Sequence, residues 1–251
     1  MPEAILQVDG LIKRFGGLLA TDNLSLDIRP GEIHAVIGPN GAGKTTMIGQ
    51  LIGELRPDAG SIRFMGQDIT ALPVHARADL GIARSFQITS IFHDFTALDN
   101  VALAVQARQG HSFRFWGNAR ADASLRTPAL RALEQVGLAH RAEVTASVLS
   151  HGEHRQLEIA MALATNPKLL LLDEPMAGMG PEDSARMVQM LKRIKGSIPM
   201  LLIEHDMDAV FALADRITVL VYGRNIATDV PDAIRSNEAV RQAYLGDEMP
   251  A

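Results

Sequence analysis

Apolar and polar positions change their spacing several times along the chain. Ala4 to Lys13 and Leu24 to Ile28 read as strands joined by a turn at Gly16 and Gly17, which predicts an antiparallel edge at the N-terminal end. Glu32 to Ile37 is a short apolar strand that stops at glycine and proline, and Lys44 to Leu55 then carries helical spacing until Pro57. From Ile88 to Ser147 the chain is rich in Ala, Arg and Leu at helical spacing, with no strand except at its margins; together with the helix that follows, about 88–165 reads as an inserted helical subdomain. Its least regular part, Gly110 to Asn118, is expected to be a surface loop and holds the single tryptophan. Alternation then resumes with strand Leu169 to Leu172, helix Glu182 to Lys195, strand Met200 to Ile203, helix Asp208 to Ala214 and strand Ile217 to Val221. The pattern predicts an α/β fold with a mainly parallel sheet, residues 1–251 forming a single domain without internal repeats.

Composition narrows the chemistry. Zero cysteines exclude disulfides, thiolate metal sites and cysteine nucleophiles. With 24 basic and 29 acidic residues the net charge is −5, which argues against a partner held by phosphate neutralisation, so no nucleic acid is expected. Apolar content of 47% with 4% aromatics describes an aliphatic globular chain. Its longest apolar runs, such as Leu169 to Leu172, fall far short of the ~20 residues that cross a bilayer. The opening MPEAILQVDG has neither the basic nor the apolar region of a signal peptide, so a cytoplasmic location is expected.

Three stretches carry chemistry. Gly38 to Thr45, GPNGAGKT, fits G-x-x-x-x-G-K-[ST] between a strand and a helix. Glycines 38, 41 and 43 let amides turn around an anion, the helix offers its positive end, Lys44 neutralises terminal phosphates, and the Thr45 hydroxyl suits Mg2+. LLLLDEP, Leu169 to Pro175, ends an apolar strand in two carboxylates at the sheet edge where α/β folds bind ligands; Asp173 suits the Mg2+ shell and Glu174 an attacking water. In VLSHGEHRQLEIAMALA, Ser150 and Glu153 form a capping box, with Leu157, Met161 and Ala164 expected on the core face. Gly152 weakens that helix unless a close backbone approach requires it, and the capped start is a second anion site.

In this order the three stretches resemble the nucleotide-binding subunits of ABC transporters, with GPNGAGKT as Walker A, LSHGE as the signature and LLLLDEP as Walker B. The resemblance covers nearly the whole chain. It implies a P-loop ABC ATPase core with an N-terminal antiparallel β-subdomain and an inserted helical subdomain. It places Gly38, Asn40, Gly41, Ala42, Gly43, Lys44, Thr45 and Thr46 around the phosphates of ATP, and Thr45, Asp173 and Gln87 at Mg2+. Gln87 in RSFQ looks like the glutamine loop, His205 in LLIEHDM like the switch histidine, and Phe15 in KRFGG like the aromatic residue set against adenine. Glu174, His205 and Gln87 would then serve hydrolysis, with Ser150, Gly152 and Glu153 of a second chain closing on the nucleotide.

The insert, LSHGE, LLIEHDMDAVFALADRI and the ending AVRQAYLG look most like the ATPases of branched-chain amino-acid importers. That implies a homodimer or a heterodimer with a paralogous ATPase, separate permease subunits, a solute-binding protein, and a peripheral place on the cytoplasmic face of the cell membrane. Other cargo, such as urea or an exported lipid, and a non-hydrolysing regulatory ABC protein are the alternatives. Two departures stand out: Gly180 where the family's D-loop usually has Asp or Asn, and His151 inside the signature.

Overall fold

The computed structural model describes residues 3–85, 91–109 and 122–245. Strands β1 (Leu6–Phe15) and β2 (Leu18–Ile28) make the expected antiparallel hairpin across Gly16 and Gly17. β2 begins earlier than its apolar pattern suggests, because Leu19 and Thr21 pair with Arg14 and Lys13. Strand β3 (Ile33–Ile37) is buried throughout and leads through the glycine-rich loop into helix α1 (Lys44–Ile52).

Helix α1 ends at Gly53 rather than running to Leu55. Gly53 is left-handed at φ 89°, and a Cβ there would stand 2.9 Å from the Leu72 carbonyl oxygen. The last carbonyls of α1 are covered by Arg77, which is 1% exposed and donates to Gln50 O at 2.6 Å and Leu51 O at 2.8 Å. Strands β4 (Ala59–Phe64) and β5 (Gln67–Asp68) complete an antiparallel sheet of order β2-β1-β4-β5, and helix α2 (Val74–Leu80) carries Arg77.

The three-residue strand β6 (Ile82–Arg84) precedes the helical layer, formed by α3 (Ala97–Gln109), α4 (Ala123–Val136) and α5 (His151–Ala164). Leu98, Val101, Leu133, Val136 and Leu157 bury the seams between these helices. The loop expected at Gly110 to Asn118 lies outside the described residues.

The second half alternates β7 (Leu169–Asp173), α6 (Pro181–Ile194), β8 (Met200–Ile203), α7 (Met207–Leu213) and β9 (Arg216–Val221), then adds β10 (Arg224–Asp229) and α8 (Pro231–Ser236). The larger sheet has the order β10-β9-β3-β8-β7-β6, parallel except for β10. Period-2 geometry divides the core: Ala35, Ile37, Leu170, Leu172 and Leu202 face the helical layer, while Val36, Leu169, Leu171, Leu201 and Ile203 face α1 and the antiparallel sheet. With both faces covered, β3, β7 and β8 are apolar at nearly every position. Their C-terminal ends lie together, since Ile203 pairs with Val36 on one side and Asp173 on the other.

Candidate functional site

The phosphate loop, residues 38–43, is gripped from behind by backbone. A Cβ on Gly43 (φ 102°) would stand 2.3 Å from Ala20 O, and one on Gly38 would stand 2.2 Å from Leu220 O. The turn between β9 and β10 adds a strut: Gly223 N–H donates to Ala42 O at 2.9 Å, and Asp22 N–H donates to Gly223 O at 2.9 Å. Only glycine permits these approaches. Gly43 is the N-cap of α1 and no side chain caps it, so the first-turn amides remain available to an anion. Lys44 is half-buried, its ammonium donating to Gly38 O at 2.5 Å and Pro39 O at 3.1 Å. Burial pulls its pKa below the usual lysine range, while the charges of Glu174 and Asp173 oppose that shift. Asn40, Gly41 and Thr45 are exposed, Thr46 is half-buried and Ala42 is buried.

Two strands along the sheet, Asp173 closes β7 with its side chain buried and paired to Arg84 of β6, Nη2 to Oδ2 2.7 Å. Glu174 follows in a left-handed conformation, φ 49°, unusual for a side-chain-bearing residue, and its N–H donates to Ile203 O at 2.8 Å. His205, just past β8, sets Nδ1 3.9 Å from Glu174 Oε1. Among the described residues no three His, Cys, Asp or Glu side chains form a metal cage. One carboxylate at Asp173 and one hydroxyl at Thr45 instead fit a hard cation that takes its remaining oxygens from phosphate and water.

Two charged partners in this region were not among the expected site residues. Arg84 reaches Asp173 from a neighbouring strand 89 positions away. Glu204, 1% exposed, accepts from Met176 N–H at 2.8 Å and from His205 N–H at 3.1 Å. Burial raises its pKa, against backbone amides of Met176, His205 and Asp206 that favour the charged form. A charged residue directly after the apolar run MLLI was the available sign.

At the start of α5 the capping box forms as expected: Ser150 N–H donates to Glu153 Oε2 at 2.8 Å and Glu153 N–H to Ser150 Oγ at 3.2 Å. Glu153 also pairs with Arg141 at 3.1 Å. No backbone approaches Gly152; what a Cβ there would meet is the Asp183 side chain of α6, at 3.3 Å. His151 Nε2 lies 3.1 Å from Ala177 O, tying this helix start to the segment after Glu174. The core face of α5 is wider than the expected one. Leu157 is buried and Met161 and Ala164, half-buried, pack against the same core, while Ile159, Ala160 and Leu163 are buried as well because α5 packs against both the sheet and its neighbouring helices.

The structure therefore brings Lys44, Asp173, Glu174 and His205 to one sheet edge. It does not bring the signature residues to them: Ser150, Gly152 and Glu153 line a separate cleft of about 450 Å³ with His140, Met179 and Asp183, and no phosphate-loop residue lines it. Phe15 ends β1 half-exposed, with Lys13 Nζ 5.7 Å from its ring centre. Gln87 lies outside the described residues.

Strand order, phosphate loop and acidic strand end together define a P-loop nucleotide hydrolase with a helical layer inserted into its core. The ABC transporter family profile matches residues 21–177, and a profile described as branched-chain amino acid ATP-binding cassette transporter matches residues 224–249. The chain belongs to the ABC transporter family as one of its ATP-binding cassettes, and it is an ATPase. It is similar to the high-affinity branched-chain amino acid transport ATP-binding protein LivG of Escherichia coli K12, 38% identical over 98% of this chain and all of LivG. The lipopolysaccharide export system ATP-binding protein LptB of the same organism is 35% identical over 98% of this chain and 99% of LptB. A crystal structure of an ABC transporter cassette in its ADP conformation superposes with a TM-score of 0.85 at 29% identity, covering 98% of this chain and all of that one. No helix among the described residues is long and apolar enough to cross a membrane.

Proposed function

We propose that this chain hydrolyses ATP at a membrane's cytoplasmic face to drive import of branched-chain amino acids or a related small polar solute. The observation that carries the site assignment is that Lys44, beside an uncapped helix start, lies within the field of the Asp173 and Glu174 charges. Phe15 stacks on adenine, and the amides of Gly38 to Gly43 with Lys44, Thr45 and Thr46 hold the phosphates. Asp173 and Thr45, with Gln87, would hold Mg2+, and the ion would there supply positive charge to offset the negative charge developing on the phosphoryl group. Glu174 orients and deprotonates the attacking water, and His205 holds the γ-phosphate.

The second half of each site comes from another chain, a copy or a paralogue. The separation between the signature cleft and the phosphate loop supports this, because Ser150, Gly152 and Glu153 then reach γ-phosphate only across an interface. Closing the sandwich excludes water and strengthens each electrostatic contact with the transferring group. Separate permease subunits and a solute-binding protein complete the complex. Residues about 88–165 act as the helical subdomain inserted into a single cassette spanning 1–251.

Cargo is argued from likeness. LivG and the match over residues 224–249 favour amino-acid import, while the likeness to LptB keeps lipid export as a second reading. Purifying the chain with its native membrane complex decides between them: a permease pair with an amino-acid-binding protein is the expected company, and an exporter's membrane subunits would overturn the import reading. For the site itself, Glu174→Gln should bind ATP, stay dimeric and fail to hydrolyse; hydrolysis at the wild-type rate would refute the catalytic assignment.

A further inference from the structure

Glu204 is a buried carboxylate to which the proposed chemistry gives no task. It follows β8, between the strand that ends in Asp173 and the strand that feeds the phosphate loop. Each of its oxygens is committed to a different segment: Oε1 accepts from Met176 N–H, two residues beyond Glu174, and Oε2 accepts from His205 N–H. Oε2 also lies 3.8 Å from His205 Nδ1, so its charge faces the imidazole as well as the backbone. One side chain thus holds the main chain of His205 and the turn that follows Glu174, the two residues assigned above to the γ-phosphate and the attacking water.

The local backbone shows why such a clamp is required. Glu174 sits at φ 49°, a conformation that a side-chain-bearing residue keeps only when its surroundings over-determine it. Its N–H is held by Ile203 O, immediately before Glu204, and its C=O accepts from Ala177 N–H in the turn that follows. The Glu204 bond to Met176 holds that turn in its middle. A neutral amide side chain offers one acceptor and would turn its NH2 donor toward the second backbone N–H. Burying a carboxylate is costly, and acceptors on both oxygens for the amides of Met176, His205 and Asp206 are what it supplies in return.

We infer that Glu204 is a positioning residue for hydrolysis, locking Glu174 and His205 in the mutual geometry, Nδ1 to Oε1 3.9 Å, from which they address the γ-phosphate. It acts through the backbone of His205 and of the turn after Glu174, in the way that outer carboxylates orient the groups that touch a reacting centre. This inference rests on the assignment of Glu174 and His205 proposed above.

The test uses the full chain and reads ATP affinity and turnover separately. Glu204→Gln, which keeps shape and loses one acceptor, should lower kcat by about 10- to 100-fold while ATP Kd stays within about twofold. In a His205→Ala background the same substitution should cost less than about threefold more, because the geometry it protects is already lost. A kcat within about threefold of wild type, a Kd that worsens as much as kcat, or losses that multiply in the double variant would each overturn the inference. Should Glu204→Gln fail to fold, Glu204→Asp is read by the same criteria, since it keeps the charge and cannot span both amides. Glu174→Gln runs alongside: if it hydrolyses normally the site assignment falls and this inference with it, whereas an inert Glu174→Gln beside a normal Glu204→Gln refutes the positioning role alone.

Discussion

Helix α1 begins at Gly43, left-handed and uncapped, with backbone from β2 and the β9–β10 turn pressed against its loop; α5 begins at Ser150, extended, with both halves of a capping box made. One start keeps its amides unsatisfied and relies on surrounding backbone for shape. The other satisfies amides with its own side chains and holds its shape locally. A helix end costs stability when its N–H groups lack partners, so α1 is arranged to gain from binding an anion in a way that α5 is not. That asymmetry suits a site whose first half binds nucleotide alone and whose second half is recruited.

The same chemical change at the two starts should expose the difference most strongly. Gly43→Ala drives a Cβ to 2.3 Å from Ala20 O at φ 102°, and we expect about 3 kcal/mol or more of lost stability together with loss of ATP binding. Gly152→Ala meets only the Asp183 side chain at 3.3 Å, in a helical turn that favours alanine, and should change stability by less than about 1 kcal/mol. Denaturant titration of both variants checks the contrast, and equal losses would remove it. Next in size, Lys44→Ala deletes the ammonium at the loop and should lower ATP turnover at least ~100-fold with weakened binding. Nucleotide titration and a phosphate-release assay measure the two effects.

At α5 the expected losses are smaller and belong to closure. Ser150→Ala removes half of the capping box and should cost about 1 kcal/mol in thermal denaturation, leaving the affinity of the monomer for ATP unchanged. Ser150→Arg places bulk at the same point and should block pairing over ATP. Mixed dimers of Lys44→Ala and Ser150→Arg chains should recover one working site, because both lesions then fall on the same nucleotide. Activity no higher than that of either parent, with heterodimers shown to form, would break the assignment of the two starts to opposite chains.

The contrast between the starts also explains what the sequence could and could not tell. GPNGAGKT and S-x-x-E encode local backbone, so both helix starts were legible, as were β7 and β8, whose unbroken apolar runs mark burial on both faces. Strands β4, β5, β6 and β10 were not. β10 is almost wholly exposed and β6 is three residues long, so each exists through pairing with a partner strand rather than through its own pattern. Arg84 on Asp173, Arg77 on the end of α1 and Glu204 on Met176 are contacts between distant segments; each looks in sequence like an ordinary surface charge. The site's atoms were readable and its supports were not.

Gly180 offers the finest test, because the structure removes one explanation for it. Its φ of −72° and ψ of 166° are open to any residue, and nothing lies within 4 Å of the Cβ it lacks, so no local strain requires glycine. It is the N-cap of α6, and like Gly43 it caps without a side chain. Gly180→Asp should therefore fit and accept from a first-turn amide of α6. The gain is expected to be only a few tenths of a kcal/mol, since glycine is itself a tolerable N-cap and Glu182 and Asp183 already bring negative charge to that turn. A measured loss of stability would contradict the cap geometry. If the segment also meets the partner chain, the new carboxylate should slow dissociation of the ATP-bound dimer and raise the cooperativity of hydrolysis. A small rise in thermal stability with neither effect would confine Gly180 to the start of α6 and leave the two ATP sites coupled through other residues.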